Sequence, residues 1–97
     1  MTEFGFSQKT LEVIKAHIMA NPNIAEAKIF GSRALGKHRK YSDIDIALFG
    51  SICTKDAHRL KNSLEESIVY YVDALVYDEL SNAELREHID TYGVNIV

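Results

Sequence analysis

Two aspartates one residue apart, Asp43 and Asp45, stand at the head of an apolar segment that runs to Phe49. They constrain the fold more than any other feature. Residues two apart on a strand project from one face, about 6.5–7 Å apart along the chain. Like charges so placed repel each other, and aspartate is disfavoured in strands. A purely solvated strand face would explain the pair, but the same face continues as Ala47 and Phe49, with Ile44, Ile46 and Leu48 on the other. A divalent cation would relieve the repulsion, and a hard oxygen-liganded ion such as Mg²⁺ suits two carboxylates.

The elements around this pair follow from spacing. Ser7 is a plausible N-cap for a helix to Ala20, with Leu11, Ile14 and Ile18 on one face, and Asn21-Pro22-Asn23 stops it. Ile24 to Phe30 reads as a strand. Gly31-Ser32 turns the chain, and Ser32 is placed to cap one helical turn ending near Gly36. A second strand spans Ile44 to Phe49, and Thr54 is expected to cap a helix to about Ser67. Ile68 to Tyr77 reads as a strand buried on both faces or nearly so. Ser81 and Glu84 have the spacing of a capping box opening a last helix through Asp90. Gly93 marks its end, leaving Val94 to Val97 as a short strand or docking tail. The order predicts one domain over 1–97, α/β (α+β) in class, with a small mixed β-sheet of at least three strands flanked by helices.

A chain of 97 residues buries only about 60–65 % of its unfolded surface, so the core is thin. Its net charge of −3 argues against a general nucleic-acid binder. The distribution is more telling, since Arg33, Lys37, Arg39 and Lys40, with His38 among them, concentrate positive charge in one loop. Such a patch in an acidic protein suits an anion. No membrane span or leader pattern is present, so a cytoplasmic location is expected. Cys53 stands alone, which excludes an internal disulfide and a thiolate metal cluster, and it is expected to be half-buried.

Asp73 interrupts the most apolar run of the chain, between Val72 and Ala74. A buried aspartate needs a partner, so Asp73 either opens onto a cleft or meets a cation or hydrogen-bond donor. If its strand lies beside that of Asp43 and Asp45, all three carboxylates could converge on one or two metal ions. Gly31-Ser32 adds backbone N–H groups and a hydroxyl suited to a phosphate. His17, His38, His58 and His88 show no ligand spacing, and none but His38 draws a catalytic reading. The common P-loop, dinucleotide and hydrolase motifs are absent.

Gly31-Ser32, ten intervening residues, then Asp43-Ile44-Asp45 resembles the signature of the DNA polymerase beta-like nucleotidyltransferase superfamily. Phe30 to Gly36, Tyr41 to Asp45, and the close of the chain at Leu85-Arg86-Glu87 and Gly93-Val94 resemble its minimal members, the MNT antitoxins of helical HEPN toxins. The resemblance implies that Asp43, Asp45 and Asp73 hold two Mg²⁺ ions, with Asp73 helping to deprotonate an attacking hydroxyl. It also implies that Gly31 and Ser32 bind the terminal phosphates of ATP, with Arg33, Lys37, Arg39 and Lys40 steering the triphosphate. The implied activity is transfer of AMP to a hydroxyl, tyrosine above all, of the HEPN partner within a type VII toxin–antitoxin pair. Two alternatives are a non-catalytic antitoxin that masks its partner and a small-molecule nucleotidyltransferase. The short chain leaves no room for an acceptor domain, so either the acceptor brings its own surface or a second subunit, in a homo- or hetero-oligomer, helps to complete the site.

Overall fold

Ser7 takes an extended conformation and its hydroxyl accepts from the Thr10 N–H, opening helix α1 (Gln8–Met19) as its spacing predicts. The computed structural model describes residues 1–97. After α1 come β1 (Ile24–Phe30), the short helix α2 (Ser32–Leu35), β2 (Ile44–Gly50), α3 (Thr54–Ser67) and β3 (Val72–Val76). A 3₁₀ turn at Tyr77–Glu79 leads to α4 (Ala83–Tyr92) and β4 (Val94–Asn95). The strands form one mixed sheet in the order β3-β2-β1-β4. β1 runs antiparallel to β2 and β4, and β2 runs parallel to β3. Parallel neighbours need a long crossover, and α3 supplies it. The expected class and minimum strand number both hold.

The sheet has two unequal faces. One carries Ala27 and Ile29 of β1 and Ile44, Ile46 and Leu48 of β2, all with no solvent exposure, packed with Ile14 and Ile18 of α1 and Leu64 of α3. Phe4 and Phe6 of the N-terminal segment join this core, stacked with ring centroids 5.6 Å apart. The opposite face holds a smaller cluster of Phe30, Ala47 and Ile89, the last from α4. Alternation along β2 thus assigns even-numbered residues to the main core and odd-numbered ones to the α4 side.

Four local expectations are corrected. The strand predicted for Ile68 to Tyr77 is confined to Val72–Val76, because it lies at the sheet edge, and Val69 and Tyr71 are 81 % and 73 % exposed. Its start is tied down when the Val72 N–H donates to Glu65 (2.8 Å) and Tyr71 accepts from the Ile44 N–H (2.9 Å). Cys53, which is exposed, caps α3 in place of Thr54, and its N–H donates to the Asp56 carboxylate. The Ser81–Glu84 box does not form, since Asn82 caps α4 by accepting from the Leu85 N–H. Gly31, not Ser32, caps α2. The C-terminal residues complete the sheet: Val94 and Asn95 pair with Ile29 and Lys28, and Ile96 donates to the Ala27 carbonyl.

Candidate active site

The β2-α3-β3 unit brings Asp45 and Asp73 into direct register, Asp45 opposite Asp73, each the second residue of its strand. On its other side Asp45 is registered with Phe30 of β1. Asp45 is half-buried, while Asp43, just before β2, and Asp73 are exposed. Burial above all, then the charges of Asp73 and Asp43, pushes the Asp45 carboxyl up from 3.8 to about 6, with Arg33 opposing. Asp45 therefore senses both other carboxylates. Asp73 is exposed at the sheet edge and forms no ion pair, and no cavity is lined by it. Convergence on metal ions was expected, yet no three acidic or histidine side chains are gathered tightly enough to form a ready-made cation cage.

The end of β1 meets this row at Gly31. Its backbone (φ 73°, ψ −152°) lies where residues with a Cβ are strained. A Cβ at this position would also collide with Oδ2 of Asp45. Glycine is thus required twice, by conformation and by the carboxylate lying against its Cα. The Gly31 N–H donates to Nε2 of His88 in α4, 3.0 Å away. Ser32 opens α2, and its carbonyl accepts from the N–H groups of Gly36 and Lys37.

Arg33 departs from its expected role of steering a triphosphate. It is 1 % exposed. Its Nη1 donates to the Phe4 carbonyl (2.8 Å), its Nε and Nη2 to the Ser42 carbonyl (3.0 and 2.9 Å), and Nη2 also to that of Lys40 (3.2 Å). The guanidinium also lies over the rings of Tyr70 and Phe6, 4.7 and 5.5 Å from their centroids. Desolvation lowers its pKa, with Tyr70 and Asp45 opposing. A planar fork that binds several carbonyls at once is what arginine provides and lysine lacks. Arg33 therefore shapes the loop that delivers Asp43. The loop is tightened further where the Arg39 N–H donates to Oγ of Ser42 (2.8 Å). Lys37, Arg39 and Lys40 remain exposed and free to meet an anion.

This arrangement can be compared with known proteins. A family model described as polymerase beta, nucleotidyltransferase, matches residues 12–97. The chain belongs to that family. Among solved structures, a toxin–antitoxin complex with AMP-PNP contains a chain of the same fold at TM-score 0.75 and 19 % identity, covering 95 % of this chain and 73 % of that one. A tri-AMPylated Shewanella oneidensis HEPN toxin in complex with MNT antitoxin matches at TM-score 0.74 and 19 % identity, over 93 % of this chain and 71 % of that one. A minimal nucleotidyltransferase matches at 0.70 and 26 %, over 92 % and 95 %. No curated protein matches significantly in sequence.

None of the three carboxylates lines a cavity. The largest cavity, about 300 Å³, lies between α1 and α3 beside His17 and Arg59, away from them. No helix is long and apolar enough to cross a membrane. Tyr41 and Tyr71, 66 % and 73 % exposed, precede the carboxylates in sequence, just before β2 and β3. His88 is the site residue that sequence reasoning passed over. It lies 57 residues from Gly31 and belongs to no motif, so only the packing of α4 reveals it.

Proposed function

We propose that this nucleotidyltransferase moves AMP from ATP to a hydroxyl, tyrosine foremost, on a HEPN-type helical partner, and so acts as the antitoxin of a toxin–antitoxin pair. The observation that carries the proposal is the in-register Asp45–Asp73 pair, with Asp43 two residues before Asp45 and the Gly31–Ser32 turn against it. All the donors are carboxylate oxygens, and the charges of Asp73 and Asp43 add to the burial that raises the Asp45 pKa, so a hard divalent cation fits the set. Asp43, Asp45 and Asp73 would hold Mg²⁺, which when bound supplies charge neutralisation at the transferred phosphoryl group.

The chain's own residues then divide the work. Lys37, Arg39 and Lys40 draw the triphosphate towards the loop. Ser32 holds its terminal phosphates through its hydroxyl and N–H, and Gly31, whose own N–H is taken by His88, allows their close approach. Asp73, exposed at the strand edge, takes the proton of the incoming hydroxyl. The hydroxyl oxygen forms a bond to the α-phosphorus as the bond to pyrophosphate breaks, and pyrophosphate leaves with that electron pair. Positioning and electrostatics, with no covalent enzyme intermediate, carry the reaction. The AMP-PNP and AMPylated-toxin complexes among the fold relatives support this choice of nucleotide and acceptor.

Incubating the protein with a HEPN-type partner, ATP and Mg²⁺, and then weighing the intact partner, tests the proposal. Wild type should add one or more AMP groups, and Asp45→Asn should add none. A partner of unchanged mass that nevertheless stays bound and silenced would replace this reading with masking, for which the exposed Tyr41, Val69 and Tyr71 offer an apolar surface.

A further inference from the structure

His88 accepts a hydrogen bond from the Gly31 N–H at 3.0 Å. Backbone conformation alone cannot fix the direction of that N–H, because glycine at φ 73° has the widest freedom of any residue. The hold on it comes from outside the turn. An imidazole nitrogen that accepts is unprotonated, so the neutral ring carries its proton on Nδ1. Two aromatic neighbours orient that ring: Phe30 meets it edge-on (centroids 6.1 Å, 73°), and Tyr92 lies at 5.5 Å and 43°. The next residue, Ile89, is fully buried against Phe30 and Ala47, which anchors α4 at this height. His88 also lines a cavity of about 260 Å³ together with Glu84, Glu87, Thr91 and Tyr92.

We infer that His88 is a positioning residue for the nucleotide site. Its neutral imidazole locks the Phe30–Gly31 peptide and thereby sets two groups attached to that corner. One is Ser32, the next residue. The other is the Asp45 carboxylate, which rests against the Gly31 Cα. His88 acts through Gly31 and touches neither carboxylates nor phosphates in this role. The inference rests on the nucleotidyltransferase reading of the Gly31–Ser32 turn given above.

The test compares His88→Phe, which keeps an aromatic ring without an acceptor, with His88→Gln, whose amide oxygen can take the same hydrogen. Removing one such hold should weaken binding of the Mg²⁺ complex of AMP-PNP about tenfold by calorimetry, the size expected for one hydrogen bond. With a HEPN-type partner as acceptor, KM for ATP should rise by about the same factor while kcat changes far less, and His88→Gln should recover most of the loss. Equal binding by folded His88→Phe and wild type would overturn the inference, as would a Gln variant no better than Phe. Hydrogen exchange at the Gly31 amide separates this from the activity itself. Slow exchange in wild type and His88→Gln, against fast exchange in His88→Phe, supports the hold on Gly31 even if no nucleotide binds, in which case the proposed function falls instead. Exchange unaffected by His88→Phe overturns the hold.

Discussion

The two faces of the sheet are built to opposite ends from the same strands. On β2, Ile44, Ile46 and Leu48 have no exposure and lie in a core of fourteen buried residues under α1 and α3. The alternate positions are Asp43, Asp45, Ala47 and Phe49, and the cluster on their side has only three buried residues. A chain this short makes one good core. The other face is left thinly covered, and it is there that like charges are tolerated. Stability and chemistry therefore separate by residue parity, one side chain at a time.

Arg33 tests that separation most severely, because it comes from the Gly31–Ser32 corner yet its guanidinium is sealed among Phe4, Phe6 and Tyr70. Arg33→Leu would strip charged donors from the carbonyls of Phe4, Lys40 and Ser42. Each buried carbonyl left unpaired costs roughly 1–3 kcal/mol, so a loss of about 4 kcal/mol is expected in urea unfolding, a large part of the stability of a small domain. Arg33→Lys should recover only part of it. A loss below about 1 kcal/mol would return Arg33 to the site face. Ile46→Ala comes next. Deleting a fully buried isoleucine side chain should lower stability by about 3 kcal/mol and leave nucleotide binding by the folded fraction unchanged, which breaks one face while sparing the other.

Much of this was legible in the sequence, and the division follows physical range. β1 (Ile24–Phe30), the start of β2 at Ile44 and the end of α3 at Ser67 are where local periodicity, Pro22 and Gly50 put them. The carboxylates could be named because Asp43, Asp45 and Asp73 contradict their local apolar context. What could not be read depends on neighbours distant in sequence. Ile68 to Tyr77 looked doubly buried by composition, but the strand begins only at Val72 on the sheet edge, and Val69 and Tyr71 lie in the exposed bend before it. Arg33 resembled its loop companions Arg39 and Lys40 until the carbonyls of Phe4 and Ser42 claimed it. Phe4 and Phe6 sit in an N-terminal segment without periodicity, and they enter the core through the stacking that Arg33 completes. The cap at Asn82 rather than Ser81 is a smaller case of the same kind, a choice between adjacent residues that spacing does not decide.

The smallest effect has the opposite sign, and it lies one residue from Ile46. Asp45 carries a carboxyl whose pKa is raised to about 6 by burial and by Asp73 and Asp43. The folded state thus binds this proton more tightly than the unfolded chain, whose carboxyl titrates near 3.8. The stabilising contribution of the protonated group is fully present below about pH 4 and is lost as pH rises through about 6. Asp45→Asn removes that dependence. The whole shift corresponds to about 3 kcal/mol, and solvent contact at this half-buried position reduces the expected gain to about 1 kcal/mol at pH 7–8, measured without divalent cations. Near pH 4 the two proteins should unfold at nearly the same urea concentration. Added Mg²⁺ should then raise the unfolding temperature of wild type more than that of Asp45→Asn, because only wild type has the third carboxylate to offer. A variant less stable than wild type at pH 8 would mean that Asp45 supports the fold as Ile46 does, and the parity of β2 would no longer separate site from core.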